Sequence, residues 1–183
     1  SSIDVKELMK MDILVSCQGG EFTSEMHPAL RNAGWNGYWI DAASTLRMKQ
    51  DSVIVLDPVN RHFVEQSISK GMKDYVGGNC TVSLMLIALD GLFKAELVEW
   101  VSSMTYQAAS GAGAKNMLEL LAQMQTVGNN YGANPALGAL EMEKVSNNLL
   151  SSGDFPKANF GHPLALNLLP WIDSEMPSGQ SKE

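Results

Sequence analysis

The sequence contains few of the residues that form disulfide scaffolds or metal sites. Of 183 residues, only Cys17 and Cys80 are cysteines, and only three are histidines. Two cysteines cannot form the cross-linked framework of a small secreted domain, so a free thiol in a reducing cytoplasm is the better interpretation. The chain has no CxxC or HExxH motif, so the sequence predicts no metal site.

The sequence also shows no surface stripe of basic residues, no long apolar run and no signal-peptide pattern. Thirteen lysines and arginines stand against 20 acidic residues, which gives a net charge of −7 and argues against nucleic-acid binding. No apolar run reaches the length of a membrane span. Residues 1–6 lack the pattern of a signal peptide. The chain begins without an initiator methionine, which favours a natural start further upstream.

What the first part of the sequence does contain is a series of short apolar runs separated by helix-like segments. Strands are predicted at residues 12–16, 38–40, 52–56 and 73–76, and helices at residues 24–32 and 60–70. Strands that alternate with helices predict βαβ units and a mostly parallel sheet. The GxGxxG turn that opens a doubly wound nucleotide-binding domain is absent, so we expect the later strands of such a domain without its first half.

The pattern changes after Gly77. An apolar helix at residues 80–92, expected to be buried, is followed by a predicted strand at 97–107 and a glycine-rich turn at 110–113. Amphipathic helices are predicted at 114–124 and 136–150. We therefore place a domain boundary near Gly77–Gly78, with a first domain at 1–77 and a second at 78–183.

The strongest local signal is a cysteine that follows two glycines at the start of the apolar helix. Glycines let the backbone pass close to a ligand, and the free N–H groups of a helix N-terminus favour a thiolate. The same N–H groups can hold an oxyanion formed beside Cys80. A buried structural cysteine is the alternative, and the local sequence leaves both interpretations open.

Six strings in order carry a resemblance to a known family. They are CQGG at 17–20, GYWIDAAS at 37–44, LDPVN at 56–60, GGNCTVSLM at 77–85, TYQAASG at 105–111 and PWID at 170–173. Together they resemble the bacterial aspartate-semialdehyde dehydrogenases, and most closely the Gram-negative branch. The resemblance implies a Rossmann-like NADP-binding domain followed by an α+β catalytic domain of the glyceraldehyde-3-phosphate dehydrogenase-like type, in a homodimer.

The implied reaction is the NADP-dependent reductive dephosphorylation of aspartyl phosphate to aspartate semialdehyde. It leads to lysine, threonine, methionine and diaminopimelate. Cys80 matches the family nucleophile, which forms an acyl-thioester. Gln107 matches the glutamine that orients the substrate, and Arg47, helped by Asn79, matches the phosphate-binding arginine. Without the resemblance, Gln107 would be interpreted as a polar strand end and Arg47 as a surface residue.

Four further residues match positions that contact NADP in the family. They are Gln18, Ser110, Gly111 and Pro135. The match of Pro135 is weak, because residues 125–134 are fewer than the family pattern has. The glycines after Ser110 fit a plain turn equally well.

The remaining candidate groups are given structural interpretations. We expect His27 and His62 to be surface residues of helices, and His162 not to be the family's acid-base histidine. Cys17 is expected to be a core residue beside the cofactor loop. The methionine-rich helix is expected to be core, since a thioether packs irregular gaps well.

Four features of a complete enzyme of this family have no match in these residues. They are the phosphate-cradling glycine turn, the substrate-binding arginine, the acid-base histidine and a further phosphate-binding lysine. We expect the first to precede Ser1 and the others to follow Glu183, and we expect this chain alone to be inactive. The alternative is a non-catalytic fragment or degenerate paralogue that serves as a binding or assembly protein.

Overall fold

The structure is a computed structural model that describes residues 4–131, 137–171 and 175–180. The chain divides into two compact units, Ser1–Val101 and Ser102–Glu183. Each unit has its own cluster of buried apolar side chains. The domain boundary near Gly77–Gly78 stays a prediction.

The first unit is built on a parallel sheet. Its elements are α1 (Val5–Leu8), β1 (Ile13–Ser16), α2 (Gly20–Asn32), β2 (Tyr38–Asp41), β3 (Ser52–Val55), α3 (Arg61–Ser69), β4 (Asp74–Gly77) and α4 (Cys80–Lys94). The four strands are parallel in the order β1-β2-β4-β3. This confirms the predicted α/β class, and it brings the carboxyl ends of all four strands to one edge of the sheet.

Apolar and aromatic side chains fix α2 against the sheet. Met26 and Leu30 of α2 pack with Trp35, and with Trp39 and Val76 from the two central strands. Trp35 and Trp39 meet edge to face with ring centroids 6.5 Å apart, an arrangement that adds to the gain from burial. The helix and the loop that follows it are therefore packed against the sheet.

A buried ionic cluster joins α2 to β4, and it corrects the surface assignment of His27. His27 is 5% exposed, and its Nε2 lies 2.9 Å from Oδ2 of Asp74. Arg31 donates to Oδ1 of the same carboxylate at 2.5 Å. The imidazole can be buried because the carboxylate pairs with it. His62, in contrast, is exposed as predicted.

The environment of Asp74 makes its contribution to stability depend on pH. Burial by itself raises the pKa of the Asp74 carboxyl, but the hydrogen bonds and charges of His27 and Arg31 outweigh it and lower the pKa below its usual 3.8. A lowered folded-state pKa stabilises the fold fully above the unfolded-state value. That stabilisation is lost as the pH falls through the folded-state value.

We therefore expect Asp74→Asn to lower the free energy of unfolding of the 183-residue chain by about 3 kcal/mol at neutral pH. Urea denaturation followed by circular dichroism measures this, and the difference from wild type should shrink at acidic pH. Asp90→Asn is the matched control, because its carboxylate pairs with exposed Lys94 and contributes less than about 1 kcal/mol. Equal losses for the two variants would contradict the buried-cluster interpretation.

The apolar helix forms where the sequence predicts it, but it is not core. α4 runs from Cys80 to Lys94 and contains no buried residue, and Leu84 is 70% exposed. An apolar face is buried only where another element covers it, and sequence composition alone does not reveal the covering element. No helix within the described ranges is long and apolar enough to cross a membrane.

The prediction of a strand at residues 97–107 is wrong. The structure assigns no strand there, and Trp100, Met104 and Tyr106 are more than three-quarters exposed. The β-branched and aromatic residues of this segment do favour a strand, but a strand forms only when a neighbour satisfies its backbone groups. None of the strands in the described ranges pairs with this segment.

Two helices form the frame of the second unit. They are α5 (Ala114–Tyr131) and α6 (Ala139–Leu150). Val127 of α5 packs with Phe155 and Ala165 in the cluster of buried residues. α5 extends beyond the predicted end at residue 124 to Tyr131, and Val127 and Tyr131 of this extension belong to the same packed cluster.

A buried carboxylate and a buried amide on α5 hold the loop that follows α6. Glu119 accepts the backbone N–H of Asn159 and of Phe160, at 2.6 and 2.9 Å. Four residues along the same helix face, Gln123 accepts the N–H of Leu164 and of Ala165, at 2.8 and 2.9 Å. Burial raises the pKa of Glu119, but these hydrogen bonds more than offset it and lower the pKa overall.

We expect Glu119→Gln to loosen this loop, because an amide nitrogen cannot accept the N–H groups that a carboxylate accepts. Hydrogen exchange at Asn159 and Phe160 should speed up by about tenfold, the effect of losing one buried hydrogen bond. Exchange should be unchanged in a Glu143→Gln control, whose side chain is exposed on α6. Unchanged exchange in Glu119→Gln would show that the loop is held by apolar packing.

Candidate active site

Four of the residues singled out in the sequence lie just beyond the carboxyl ends of parallel strands. Gln18 follows β1, Arg47 lies six residues past β2, and Asn79 and Cys80 follow β4. Because β1, β2 and β4 are neighbours, their loops lie at the same edge of the sheet. This edge is where α/β sheets bind ligands and carry out chemistry.

Cys80 is an exposed free thiol and the first residue of α4. Asn79 caps the helix, and its Oδ1 accepts the N–H of Val82 at 3.0 Å. The cap thus engages the oxygen of the Asn79 amide, and its NH₂ group is a donor and not an acceptor. The backbone of Gly78 passes close to α4, since a Cβ there would lie 2.6 Å from Oγ of Ser83 and would require that hydroxyl to rotate away.

Arg47 is anchored next to the strand that leads to Cys80. Its Nε donates to the carbonyl oxygen of Gly77 at 2.8 Å. Gly77 is the last residue of β4, three positions before the cysteine. The bond engages Nε, so the two Nη groups remain for a second, forked interaction with an anion. The guanidinium and the amide of Asn79 are thus both held near the end of β4.

The prediction that Cys17 is a core residue is wrong, because Cys17 is exposed in the turn after β1. A strand that ends at the sheet edge leaves the next residue outside the core, whatever its apolar character. Both thiols are therefore accessible, and only Cys80 lies at a helix N-terminus.

We expect iodoacetamide to label Cys80 before Cys17 when the reagent is limiting. Cys80 is itself the first residue of α4, so the backbone N–H groups of the first turn lie beside the developing charge on its sulfur, whereas Cys17 precedes the first residue of α2 by three positions. Peptide mapping by mass spectrometry measures the order of labelling, with a denatured sample as the control for intrinsic reactivity. Preferential labelling of Cys17 would contradict the assignment.

Three further candidates lie in the second unit. Gln107 is exposed and donates from Nε2 to Oγ1 of Thr105 at 3.5 Å. Ser110 and Gly111 are exposed in a short 3₁₀ turn at Ala109–Ala112. Gly113 closes the turn with a φ of +90°, a conformation that favours glycine. Gly111 has no positive φ, so its backbone conformation does not call for glycine. Pro135 lies outside the described residues.

Sequence reasoning missed two buried polar residues at the same sheet edge. Asp41, the last residue of β2, is 3% exposed, and Thr23 in the first turn of α2 is fully buried. Oγ1 of Thr23 donates to Oδ2 of Asp41 at 2.5 Å. An acidic residue directly after an apolar strand was the available signal, because a carboxylate there must find donors.

Comparison with known proteins gives matches over both halves of the chain. A family model described as "Semialdehyde dehydrogenase, NAD binding domain" matches residues 1–67, and "Semialdehyde dehydrogenase, dimerisation domain" matches residues 89–183. The solved structure of aspartate semialdehyde dehydrogenase from Francisella tularensis is 52% identical, with a TM-score of 0.88 over 98% of this chain and 49% of that one.

A more distant solved structure has the same fold. It is aspartate semialdehyde dehydrogenase II of Vibrio cholerae complexed with ASA, with 25% identity, a TM-score of 0.69, and coverage of 99% of this chain and 45% of that one. The chain belongs to the semialdehyde dehydrogenase family and, within it, to the aspartate-semialdehyde dehydrogenases. It spans about half the length of the solved relatives it matches.

Proposed function

We propose that the whole protein catalyses the NADP-dependent reductive dephosphorylation of L-aspartyl-4-phosphate to L-aspartate-4-semialdehyde. The observation that carries the proposal is the position of Cys80, Asn79 and Arg47 around the end of β4 in a chain of this family. A thiol nucleophile needs an anion site beside it for a substrate that carries a phosphate.

Cys80 supplies the nucleophile in this proposal. Its thiolate attacks the acyl carbon of aspartyl phosphate, the C–S bond forms, and the C–O bond to phosphate breaks with release of inorganic phosphate. The resulting thioester is reduced to the aldehyde level by a hydride that NADPH supplies when bound. Breaking the C–S bond then releases aspartate semialdehyde and regenerates the thiolate. Covalent catalysis thus divides one difficult step into two.

Arg47 and Asn79 bind the phosphate group in this proposal. The free fork of the Arg47 guanidinium suits two phosphate oxygens, and the Asn79 NH₂ group donates to a third. Since Nε is fixed to Gly77, the fork is oriented before the substrate arrives, which lowers the entropic cost of binding. Gln107 orients the substrate's amino-acid end through an amide that both donates and accepts.

The cofactor residues of the chain are Gln18, Ser110 and Gly111, with Pro135 as a further position. An exposed amide and an exposed hydroxyl fit the uncharged groups of a nicotinamide nucleotide, which need hydrogen bonds rather than counter-charges. Gly111 has open space around the position of a Cβ, so a ligand can approach its backbone closely. NADP rather than NAD is part of the proposal.

The proposal also covers the oligomeric state, the cellular compartment and the pathway of the enzyme. The name of the dimerisation-domain model supports a homodimer. Both cysteines are free thiols, which fits a reducing cytoplasm. The product would supply the synthesis of lysine, threonine, methionine and diaminopimelate.

The test is an assay of the full-length enzyme in the reverse direction, with aspartate semialdehyde, phosphate and NADP as reactants. NADPH formation followed by absorbance should depend on all three, and NAD should replace NADP poorly. Turnover that does not depend on phosphate would exclude the proposed anion site. The absence of turnover would exclude the enzymatic function.

A further inference from the structure

A buried carboxylate links two loops of the candidate site without belonging to the residues assigned to chemistry. Asp41 closes β2 and is 3% exposed. Its Oδ1 accepts the backbone N–H of Ala43 at 2.9 Å. Its Oδ2 accepts from Oγ1 of Thr23 at 2.5 Å and from Nε1 of Trp39 at 3.2 Å. Two oxygens therefore serve three donors, which only a carboxylate can do at this position.

Two of these donors, Ala43 and Thr23, adjoin the loops that bear Arg47 and Gln18. Ala43 begins the loop that runs from β2 to Arg47, so the carboxylate fixes the start of that loop. Thr23 lies in the first turn of α2, directly after the turn that bears Gln18, and its hydroxyl also lies 3.3 Å from the carbonyl oxygen of Gly19. The Asp41 side chain thus joins the two loops across the sheet edge.

A second hydrogen bond connects the same two regions of the chain. Oγ1 of Thr45 donates to the carbonyl oxygen of Gly20 at 3.3 Å. A Cβ at Gly20 would lie 2.9 Å from that hydroxyl, so the two loops are close at this point. The other end of the Arg47 loop is fixed by the bond from Arg47 to Gly77.

We propose that Asp41 is a positioning residue that holds the phosphate-binding Arg47 loop and the cofactor-binding Gln18 turn at a fixed separation. This rests on the proposed function of the two loops. Because one side chain fixes both, weakening it should reduce the affinity for phosphate and for NADP together. Cys80 belongs to neither loop, so turnover at saturating substrates should change much less.

The sharpest variants act on Thr23, whose hydroxyl is the link between Asp41 and the Gln18 turn. Thr23→Val keeps the size of the side chain and removes the donor, whereas Thr23→Ser keeps the donor and removes a methyl group. Asp41→Asn keeps the shape, but its NH₂ group replaces one acceptor oxygen, so either the bond from Ala43 or the bonds from Thr23 and Trp39 are lost. Ser67→Ala is the control, because it removes a buried hydrogen bond to Phe63 on α3, away from both loops.

The full-length enzyme is assayed for KM of phosphate, KM of NADP and kcat, together with its melting temperature. Thr23→Val and Asp41→Asn should raise both KM values by about three- to tenfold, the effect of losing one hydrogen bond, with kcat within about twofold. Thr23→Ser should restore wild-type KM values. Ser67→Ala should lower only the melting temperature.

Three outcomes would overturn the inference. Unchanged KM values in Thr23→Val, equal KM values in Thr23→Val and Thr23→Ser, or a rise in the KM of only one ligand would each show that Asp41 does not couple the loops. If Asp41→Asn does not fold, the comparison of Thr23→Val with Thr23→Ser still tests the inference. A wild-type enzyme without phosphate-dependent turnover would refute the proposed function itself, whereas an active wild type with unaffected variants would refute only the positioning role.

Discussion

Replacing Cys80 by serine in the full-length enzyme should lower kcat by about 10⁴-fold or more, the range seen when a covalent nucleophile is removed. A serine hydroxyl has nearly the same shape as the thiol but is a much weaker nucleophile without an adjacent base. The exposed position of the side chain at the start of α4 means that the substitution should leave the fold intact. Steady-state NADPH formation measures the loss.

Cys17→Ser is the matched control, since both cysteines are exposed free thiols of the same unit. We expect this variant to retain turnover within a few-fold of wild type, and both variants to keep the wild-type melting temperature. A large loss in Cys17→Ser with retained activity in Cys80→Ser would reverse the assignment of the nucleophile.

Arg47→Lys should raise the KM for phosphate by about 10- to 100-fold, the cost of losing one or two hydrogen bonds to a charged group. Lysine keeps the positive charge but loses both the fork and the Nε group that binds Gly77. Phosphate dependence of the reverse reaction measures the effect. Because the chemistry at Cys80 is unchanged, kcat at saturating phosphate should fall far less than phosphate affinity.

Lys49→Arg tests whether the effect is specific, because this exposed cation lies two residues further along the same chain segment. Its phosphate KM should match that of wild type. An Arg47→Lys enzyme with wild-type phosphate affinity would place the anion site elsewhere.

The sheet was predictable because each strand carries its own signal. Residues 52–56 are mostly apolar and end at Asp57-Pro58, residues 73–76 run into Gly77-Gly78, and the structure has β3 and β4 there with bounds shifted by one residue. The segment at 97–107 is rich in β-branched and aromatic residues but has no partner strand among the described residues. Local pattern predicts the capacity to form a strand, and pairing decides whether it forms.

The site residues that the sequence predicts depend on local motifs, and those that it does not predict depend on tertiary partners. Cys80 and Asn79 were found because their local motif sets both the helix start and the cap. Asp41 was not found, because its role depends on Thr23, eighteen positions away in the sequence. His27 was misassigned for the same reason, since its partner Asp74 lies 47 positions away. Burial of a polar side chain is a property of its tertiary partners.

The most direct test of Cys80 as the nucleophile is to trap the acyl-enzyme. The full-length enzyme is mixed with aspartate semialdehyde and NADP without phosphate, quenched in acid, and analysed by peptide mass spectrometry. We expect an aspartyl group on the peptide that contains Cys80, together with about one NADPH per active site, and loss of the group when phosphate is added before the quench. An aspartyl group on Cys17, or NADPH formed without any modified cysteine, would contradict the account.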